Sequence, residues 1–591
     1  MTHQHITAVE PGGIGTDAPS VMSTDVPRQT MRTAGGAGQA PRGSRFDRWR
    51  RHRGWMFALV VTALLAQMAV AMITAARQQS PTTDEPVYVG TAVIYLEQHS
   101  LTYNFEHPPL AKLIMETGLT FANARVDAQL GGTQWEIGNN VLYEEGNDAQ
   151  HVLFLARLPM IILALLFGLV VFVCARDLVG PVGGLVALAL YAFSPDVIAY
   201  GSLAQLDMPA AGFLLTTLWL LWRARRRLYP YLPLSGLALG AALATKMSTL
   251  PAVPLMLALV VLSVWYAGRA PNPGRPIDRR GALRLVAAGI GAAVGVGVIS
   301  VLTVWATYLV VDPRLRWTTP PNLPVLHGLA GQLVNWLPFP QPFRDGLRLQ
   351  VSYEGRQFGG FLLGDAYRGS RWYYLPVALL IKEPLGMLAL WVAGAVAMLV
   401  TPRLRAAAVY VLASTAVLLL ATMAGSRDFG VRYAIFVPVI LAVAAGCVVA
   451  YRWRWSYVAT AVLLVFVAVS SLRTFPLYIP YSNEAFGGPS KTYLRLGDSN
   501  VDWGQDLARL AIRLKHKYPG EQVWLDYKGR GDPSYYGIKW KDPLTVPARD
   551  VHGILAVSAS RVPTARARLR VLIDSSTRID DVGHSILIYR R

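Results

Sequence analysis

Cysteine is nearly absent: Cys174 and Cys447 are the two in 591 residues, and both lie inside apolar stretches. No disulfide framework and no cysteine-based zinc site can be built from them. Charge is scarce as well, with 16% Asp, Glu, Lys and Arg against about 25% in an ordinary soluble protein. Acidic residues are the scarcer sign, 36 against 56 Lys and Arg, for a formal net charge of +20. No Gly-rich phosphate loop opens a helix, which weighs against nucleotide-driven chemistry, and no repeat of fixed period supports an inverted-repeat transporter. What fills the chain instead is apolar: 53% hydrophobic residues and a mean hydropathy of +0.34. Length alone would allow about four soluble domains, but this composition excludes them and predicts a multi-spanning membrane protein.

The basic residues decide its orientation. Residues 1–44 are rich in Gly, Ser, Thr, Pro and Ala without periodicity, and read as a disordered cytoplasmic tail. Arg42, Arg45, Arg48, Arg50, Arg51 and Arg53 then precede an apolar run from Trp55 to Ala76, long enough for an uncleaved first span. Ten further runs follow at about 153–175, 178–198, 208–223, 231–248, 250–268, 284–311, 374–400, 405–424, 431–450 and 455–472. If each crosses, the starting side receives Arg176, then Arg223 and Arg225 to Arg227, then Arg269, Arg275, Arg279, Arg280 and Arg284, then Arg403 and Arg405, then Arg452 and Arg454. Every basic cluster lands on the cytoplasmic side, so the positive excess is topological and nucleic acid is not expected as a partner.

The predicted fold is therefore an α-helical polytopic membrane protein of about eleven transmembrane helices over 45–473, with external loops 77–152 and 312–373 and a small extracytoplasmic α/β domain over 474–591. In the first loop, Val87 to Leu96 and Leu110 to Leu119 have the spacing of amphipathic helices lying along the outer membrane interface. The C-terminal region shows a helix from Asp506 to Lys517 and β-rich runs at Gln522 to Tyr527, Gly553 to Val557 and Ser585 to Tyr589.

With this orientation the polar residues converge on the outer face. Asp84 and Glu85 follow the first span, where Thr82 and Glu85 also suit a capping box. Asp207 opens the fourth span, as an N-cap would; Lys246 sits in the turn between the fifth and sixth, where a snorkelling lysine is ordinary. Arg157 and Arg432 lie near the outer ends of the second and tenth spans. Lys382 and Glu383 lie about 12 Å into the eighth span at 1.5 Å per residue, an expensive depth that predicts an ion pair lining a polar cavity or joining two helices, beside a break at Pro384. A carboxylate among cations at a membrane face suits group transfer from an anionic lipid carrier: the carboxylate takes a proton from an attacking hydroxyl and cations stabilise the departing phosphate.

Taken in order, Asp84-Glu85, His107-Pro108-Pro109-Leu110, Ala156-Arg157-Leu158-Pro159, Ser194-Pro195 with Asp207, Thr245-Lys246, Tyr373-Tyr374 with Lys382-Glu383-Pro384-Leu385, and Arg432-Tyr433 resemble the type C glycosyltransferases of the protein O-mannosyltransferase and aminoarabinose-transferase superfamily. The resemblance implies a sugar donor carried on polyprenyl phosphate and inversion by direct displacement at the outer face of a bacterial plasma membrane. The acceptor is a glycan, a lipid or a protein hydroxyl, and mannose is the sugar favoured by analogy. It makes Asp84 the general base, with Glu85 orienting it or touching the acceptor. Lys246 and Arg432 become ligands of the carrier phosphate, Lys382 and Arg157 weaker candidates for the same role, and His107 and Asp207 substrate contacts. The 312–373 loop lacks the large β-trefoil insertion of the eukaryotic mannosyltransferases, which weakens the case for a protein acceptor. A transporter or flippase of lipid-linked sugars is the alternative, and a scaffold binding cell-wall polymer a third reading.

One motif stays outside this scheme. In Asp498-Ser499-Asn500-Val501-Asp502-Trp503-Gly504-Gln505-Asp506 the three carboxylates could gather around a divalent cation, or Asp498 or Ser499 could cap the following helix. The cap is the preferred reading, and no metal or cofactor is assigned.

Overall fold

The computed structural model describes residues 45–127, 131–269, 278–451 and 453–591. The tail expected at 1–44, with Arg42, lies outside the described residues, as do Arg275 and Arg452 of the basic clusters. The chain divides into two compact units, Met1–Trp55 and Met56–Arg591. Of the first, residues 45–55 are helical and belong to helix α1 (Arg45–Gln78); the second holds all that follows.

Helices α2 (Glu85–Gln98), α3 (Leu110–Leu119) and α4 (Gln134–Asn139) make up the first loop region. Then come α5 (Ala149–Val179), α6 (Pro181–Ala192), α7 (Pro195–Gly201), α8 (Asp207–Ala224), α9 (Leu228–Thr245), α10 (Ala252–Arg269) and α11 (Arg279–Val311). The second loop region carries α12 (Gly328–Trp336), α13 (Gln341–Glu354) and a hairpin of β1 (Gly359–Leu362) and β2 (Asp365–Arg368). Helices α14 (Tyr374–Lys382), α15 (Leu385–Val400), α16 (Pro402–Met423), α17 (Phe436–Gly446) and α18 (Ser456–Leu472) complete the helical body.

Each apolar run of the sequence is helical, and this is a multi-pass membrane protein. Among the described residues six helices are long and apolar enough to cross a bilayer, or up to eight when the bent pairs α6–α7 and α14–α15 each count as one span. The expected eleven exceed that number because proline breaks two runs, because α17 and α18 are short, and because α8, 18 residues long with Asp207 and Arg223 near its ends, is not among the helices apolar enough to cross. At the first break Ser194 is extended and its Oγ accepts from Val197 N at 3.3 Å, capping α7 at Pro195. At the second, Pro384 has no N–H and disfavours helical backbone at Glu383, whose φ/ψ of −92°/142° turns α15 by 117° from α14.

The first loop corrects an expectation. Helix α2 does not lie along a membrane interface: Glu85 through Tyr95 are all buried, on every side of the helix. It sits beneath α4 at a glycine crossing, where a Cβ on Gly90 would come within 2.8 Å of Gly138 Cα. Helix α3 does present one buried face, with Ala111, Lys112, Met115, Gly118 and Leu119.

The C-terminal domain is α/β. Helix α19 (Leu507–Lys517) packs on a sheet of β3 (Val523–Asp526), β4 (Trp540–Lys541), β5 (Ile554–Ser558), β6 (Thr577–Val582) and β7 (Ile586–Arg590), in the order β4-β3-β5-β7-β6, with α20 (Ala567–Asp574) before β6. β3 runs parallel to β4 and β5; β7 is antiparallel to β5 and β6. The three predicted strands are present within a residue or two; β4, β6 and α20 were not legible.

Candidate active site

Asp84 stands at the corner between α1 and α2. Pro86 suits the first turn of a helix, so α2 begins at Glu85 and leaves Asp84 at the N-cap position with its side chain not engaged in capping. The corner is held from beneath by Glu85 and Arg157, both fully buried. Arg157 Nε donates to Glu85 Oε1 at 2.8 Å and Nη2 to Oε2 at 2.6 Å, a bidentate pair. The remaining guanidinium hydrogens go to the carbonyls of Ala76, Gln79 and Ser80, at the end of α1. Glu85 also accepts from Thr82 N and Oγ1 and from Ala204 N; the expected Thr82–Glu85 capping box is corrected, since Asp84 is the N-cap, Glu85 N donates to the Thr82 carbonyl, and Thr82 Oγ1 donates to the Glu85 carboxylate as part of a larger clamp. Burial pushes the Glu85 carboxyl up, but Arg157 and these hydrogen bonds outweigh it and hold it below the usual carboxylate range.

Above the clamp, four charged side chains alternate in sign. Arg432 Nη1 donates to Asp84 Oδ2 at 2.8 Å and lies 3.8 Å from Asp207 Oδ2. Lys246 Nζ donates to Asp207 Oδ1. Asp207 is the first residue of α8, not its cap, and its carboxylate is turned toward the two cations. Lys246 is extended, with φ/ψ of −151°/127°, where α9 stops, which brings its ammonium over the Tyr433 ring at 4.9 Å. The Arg432 guanidinium is stacked on Trp503 at 4.3 Å.

These four line a cavity of about 650 Å³ on the loop side of the helices. Its lining includes polar side chains, among them Tyr88, Asn104, Glu106, His107 and Gln134, and apolar ones, among them Ala210, Leu214, Leu250, Leu375, Leu418 and Phe436. Asp84 is the most accessible of the four charged groups, its side chain 19% exposed against 9% for Arg432 and 4% for Asp207. His107 lies at a ring-centroid distance of 5.8 Å from Tyr88, edge to face. Burial, together with the charges of Lys246, Lys112, Arg427 and Arg432, pushes its imidazole well below the usual histidine range, so it is neutral.

Five predicted residues thus share the cavity: Asp84, His107, Asp207, Lys246 and Arg432. Glu85, Arg157 and Lys382 do not line it. The expected ion pair of Lys382 with Glu383 is corrected: Lys382 Nζ lies 3.2 Å from Asp196 Oδ1 and donates to the carbonyls of Ile479 at 2.6 Å and Asn500 at 3.1 Å. The extended backbone that Pro384 imposes on Glu383 sends consecutive side chains apart, and both Glu383 carboxylate oxygens accept no hydrogen bond among the described residues. Sequence reasoning missed Arg371, Arg427, Gln134 and Trp135, which also line the cavity. Arg427 lies just upstream of Arg432 and Arg371 just upstream of Tyr373, so nearness to quoted motifs was the available signal.

Among the described residues no group of three or more His, Cys, Asp or Glu side chains is arranged to hold a metal ion. The acids of the 498–506 run go separate ways. Asp498 accepts from Lys528 Nζ at 2.6 Å, Asp502 from Gly504 N at 3.2 Å, and Asp506 from Ser585 Oγ at 2.6 Å. The cap expected from Asp498 or Ser499 is also corrected, since α19 starts after Asp506 and no side chain caps it.

Residues 149–274 match the family model described as dolichyl-phosphate-mannose-protein mannosyltransferase, in agreement with the resemblance read from the sequence. No curated protein matches the chain by sequence. Among solved structures, ArnT from Cupriavidus metallidurans bound to undecaprenyl phosphate is similar with a TM-score of 0.46 and 13% identity, over 91% of this chain and 98% of that one. The S. cerevisiae protein O-mannosyltransferase Pmt1-Pmt2 complex bound to the sugar donor gives 0.33 and 20%, over 44% and 33%. The oligosaccharyltransferase AglB from Archaeoglobus fulgidus, in complex with an inhibitory peptide and a dolichol-phosphate, gives 0.39 and 12%, over 77% and 58%.

Proposed function

We propose that this chain is an inverting glycosyltransferase that moves a sugar, mannose by analogy, from a polyprenyl-phosphate donor to an acceptor hydroxyl at the outer face of a bacterial plasma membrane. The observation that carries the reading is the accessible Asp84 carboxylate beside Arg432, Asp207 and Lys246 in a cavity lined by both polar and apolar side chains. A polyprenyl-phosphate sugar combines the same two kinds of surface, a charged polar head and an apolar chain. The family match over 149–274, which covers the Arg157, Asp207 and Lys246 segments, supports the donor class, and the positive-inside pattern supports the outer face.

In this reading the acceptor oxygen attacks the anomeric carbon opposite the phosphate while Asp84 takes the hydroxyl proton. The bond between the anomeric carbon and the phosphate oxygen breaks, its electron pair leaves with the phosphate, and Lys246 and Arg432 stabilise the added negative charge. A single carboxylate suffices because no covalent sugar intermediate forms. Asp84 is the base, Glu85 and Arg157 position it, and His107 offers a neutral imidazole to a sugar hydroxyl.

The test is transfer by the purified protein in liposomes. Radiolabelled mannose, glucose, galactose and aminoarabinose on undecaprenyl phosphate are each supplied with a bacterial membrane extract as acceptor. One donor is expected to support transfer, and Asp84→Asn to lower it by at least about 1000-fold, roughly 4 kcal/mol of barrier, with undecaprenyl-phosphate binding retained. Full activity of Asp84→Asn, or inertness of the wild type toward every donor, overturns the proposal.

A further inference from the structure

The Asp498–Asp506 run, conspicuous in the sequence and unused by the chemistry above, is bonded to both halves of the site. On one side the N–H and Oγ1 of Thr83, the residue before Asp84, donate to the Trp503 carbonyl at 2.8 and 3.1 Å. Ser80 N donates to Gln505 O at 3.0 Å and Ser80 Oγ to Gly504 O at 3.0 Å. On the other side the N–H of Val431, the residue before Arg432, donates to Asn500 Oδ1 at 3.0 Å, and Ser499 Oγ donates to the Phe429 carbonyl at 2.5 Å. That approach requires Gly430: its φ is +143° and any Cβ there would run into Ser499 Oγ. Between the two halves the Trp503 ring, 2% exposed and outside the cavity lining, lies 4.3 Å from the Arg432 guanidinium.

The segment is hydrogen-bonded within itself and to the neighbouring β3 end. Trp503 N donates to Gln505 Oε1 at 2.7 Å, Gln505 Nε2 to Val501 O at 2.9 Å, and Tyr527 Oη to Gly504 O at 2.6 Å. Lys528, just past β3, fixes Asp498 in a left-handed conformation at φ +56°. The C-terminal sheet is thereby connected through one short segment to the backbone beside Asp84 and beside Arg432.

We propose that segment 498–506 of the C-terminal domain is a positioning element of the active site, and that Trp503 sets the Arg432 guanidinium against Asp84. This rests on the glycosyltransferase reading for its kinetic consequence, not for its geometric one. Trp503 touches no reacting atom; it acts through Arg432. Neither the carrier phosphate nor the acceptor needs to contact the domain for the domain to control turnover.

The experiment uses the full chain in liposomes, with Trp503→Phe, Trp503→Leu, Arg432→Lys and the double variant Trp503→Phe/Arg432→Lys. Trp503→Leu is expected to lower kcat by about 10- to 100-fold, the cost of a misplaced catalytic group, with the donor KM unchanged; Trp503→Phe, which keeps a smaller ring at that place, is expected to lower it by about 5- to 10-fold at an unchanged Tm. In the Arg432→Lys background Trp503→Phe is expected to cost less than about twofold, because the group it positions is already gone. If Trp503→Leu does not fold, this cycle alone decides the kinetic question. Equal cost of Trp503→Phe in both backgrounds, or a raised donor KM with unchanged kcat, overturns the proposal. A second readout needs no activity: modification of Arg432 by phenylglyoxal, followed by mass spectrometry, should be severalfold faster in Trp503→Phe than in the wild type. An unchanged rate overturns the positioning role even if sugar transfer is found. A faster rate in a protein that transfers no sugar sustains the geometry while the glycosyltransferase reading falls.

Discussion

Arg432 Nη1 lies 2.8 Å from Asp84 Oδ2 and 3.8 Å from Asp207 Oδ2, so one guanidinium nitrogen is shared by carboxylates that are far apart in sequence. With Lys246 on the far oxygen of Asp207, the set Asp84, Arg432, Asp207 and Lys246 has no net formal charge. A phosphate entering beside Lys246 therefore competes with Asp207 for its cation. In the proposed reaction Asp207 therefore tunes how tightly the carrier phosphate is held.

The first prediction follows from that competition. Lys246→Met should weaken binding of undecaprenyl phosphate by about tenfold or more, whereas Asp207→Asn, which removes the competing anion, should tighten it while slowing turnover. Isothermal titration in detergent at two salt concentrations reads both, and weaker binding by Asp207→Asn would remove the competition.

Breaking the clamp under Asp84 should damage the fold more than the ligand site. Arg157→Met leaves the Glu85 carboxylate buried without its partner, at a cost of about 3–5 kcal/mol, and Glu85→Gln loses part of the same network. Thermal melting should show a large drop for Arg157→Met and a smaller one for Glu85→Gln. The folded fraction should keep its undecaprenyl-phosphate affinity, since neither residue lines the cavity. Loss of carrier affinity at an unchanged melting temperature would restore Arg157 as a phosphate ligand.

Lys382 gives the same kind of contrast at another place. Its ammonium is enclosed by Asp196, Ile479 O and Asn500 O. Lys382→Met should lower the melting temperature or the yield of folded protein without altering carrier affinity. Weaker undecaprenyl-phosphate binding by a well-folded variant would contradict that placement.

His107 should make the fold acid-sensitive. Its folded imidazole titrates well below the ordinary 6.5, chiefly through burial. Between those two values the unfolded chain binds a proton that the folded chain does not, so stability is full above about pH 6.5 and declines as pH falls through this window. His107→Gln removes that contribution. The wild type should lose more melting temperature than the variant between about pH 7.5 and about pH 5; equal losses would show that His107 is not buried as a neutral group.

The membrane class, the order of helices and the α/β character of the C-terminal domain were legible because they follow from local pattern: apolar length, the proline break at 384, and β-rich composition in β3, β5 and β7; the break at Pro195, inside a run read as one span, was not. Within the site, Asp84, Asp207, Lys246 and Arg432 could be nominated one at a time because each is a charge at the loop end of an apolar run. Their pairing could not. Lys382 and Glu383 are adjacent in sequence yet diverge at an extended residue, while Lys382 meets Asp196 from another helix pair.

The sequence by itself determined that this chain spans a membrane many times, which end of its helices gathers the polar residues, and which family it resembles, since hydropathy, charge bias and motif order are one-dimensional properties. Only the tertiary structure decided which cation faces which carboxylate. It also decided that Glu85 and Arg157 sit beneath the site and not in it, and that segment 498–506 joins its two halves. Those are outcomes of burial: an enclosed charge takes the nearest partner that three-dimensional packing offers, and sequence separation places no limit on which partner that is.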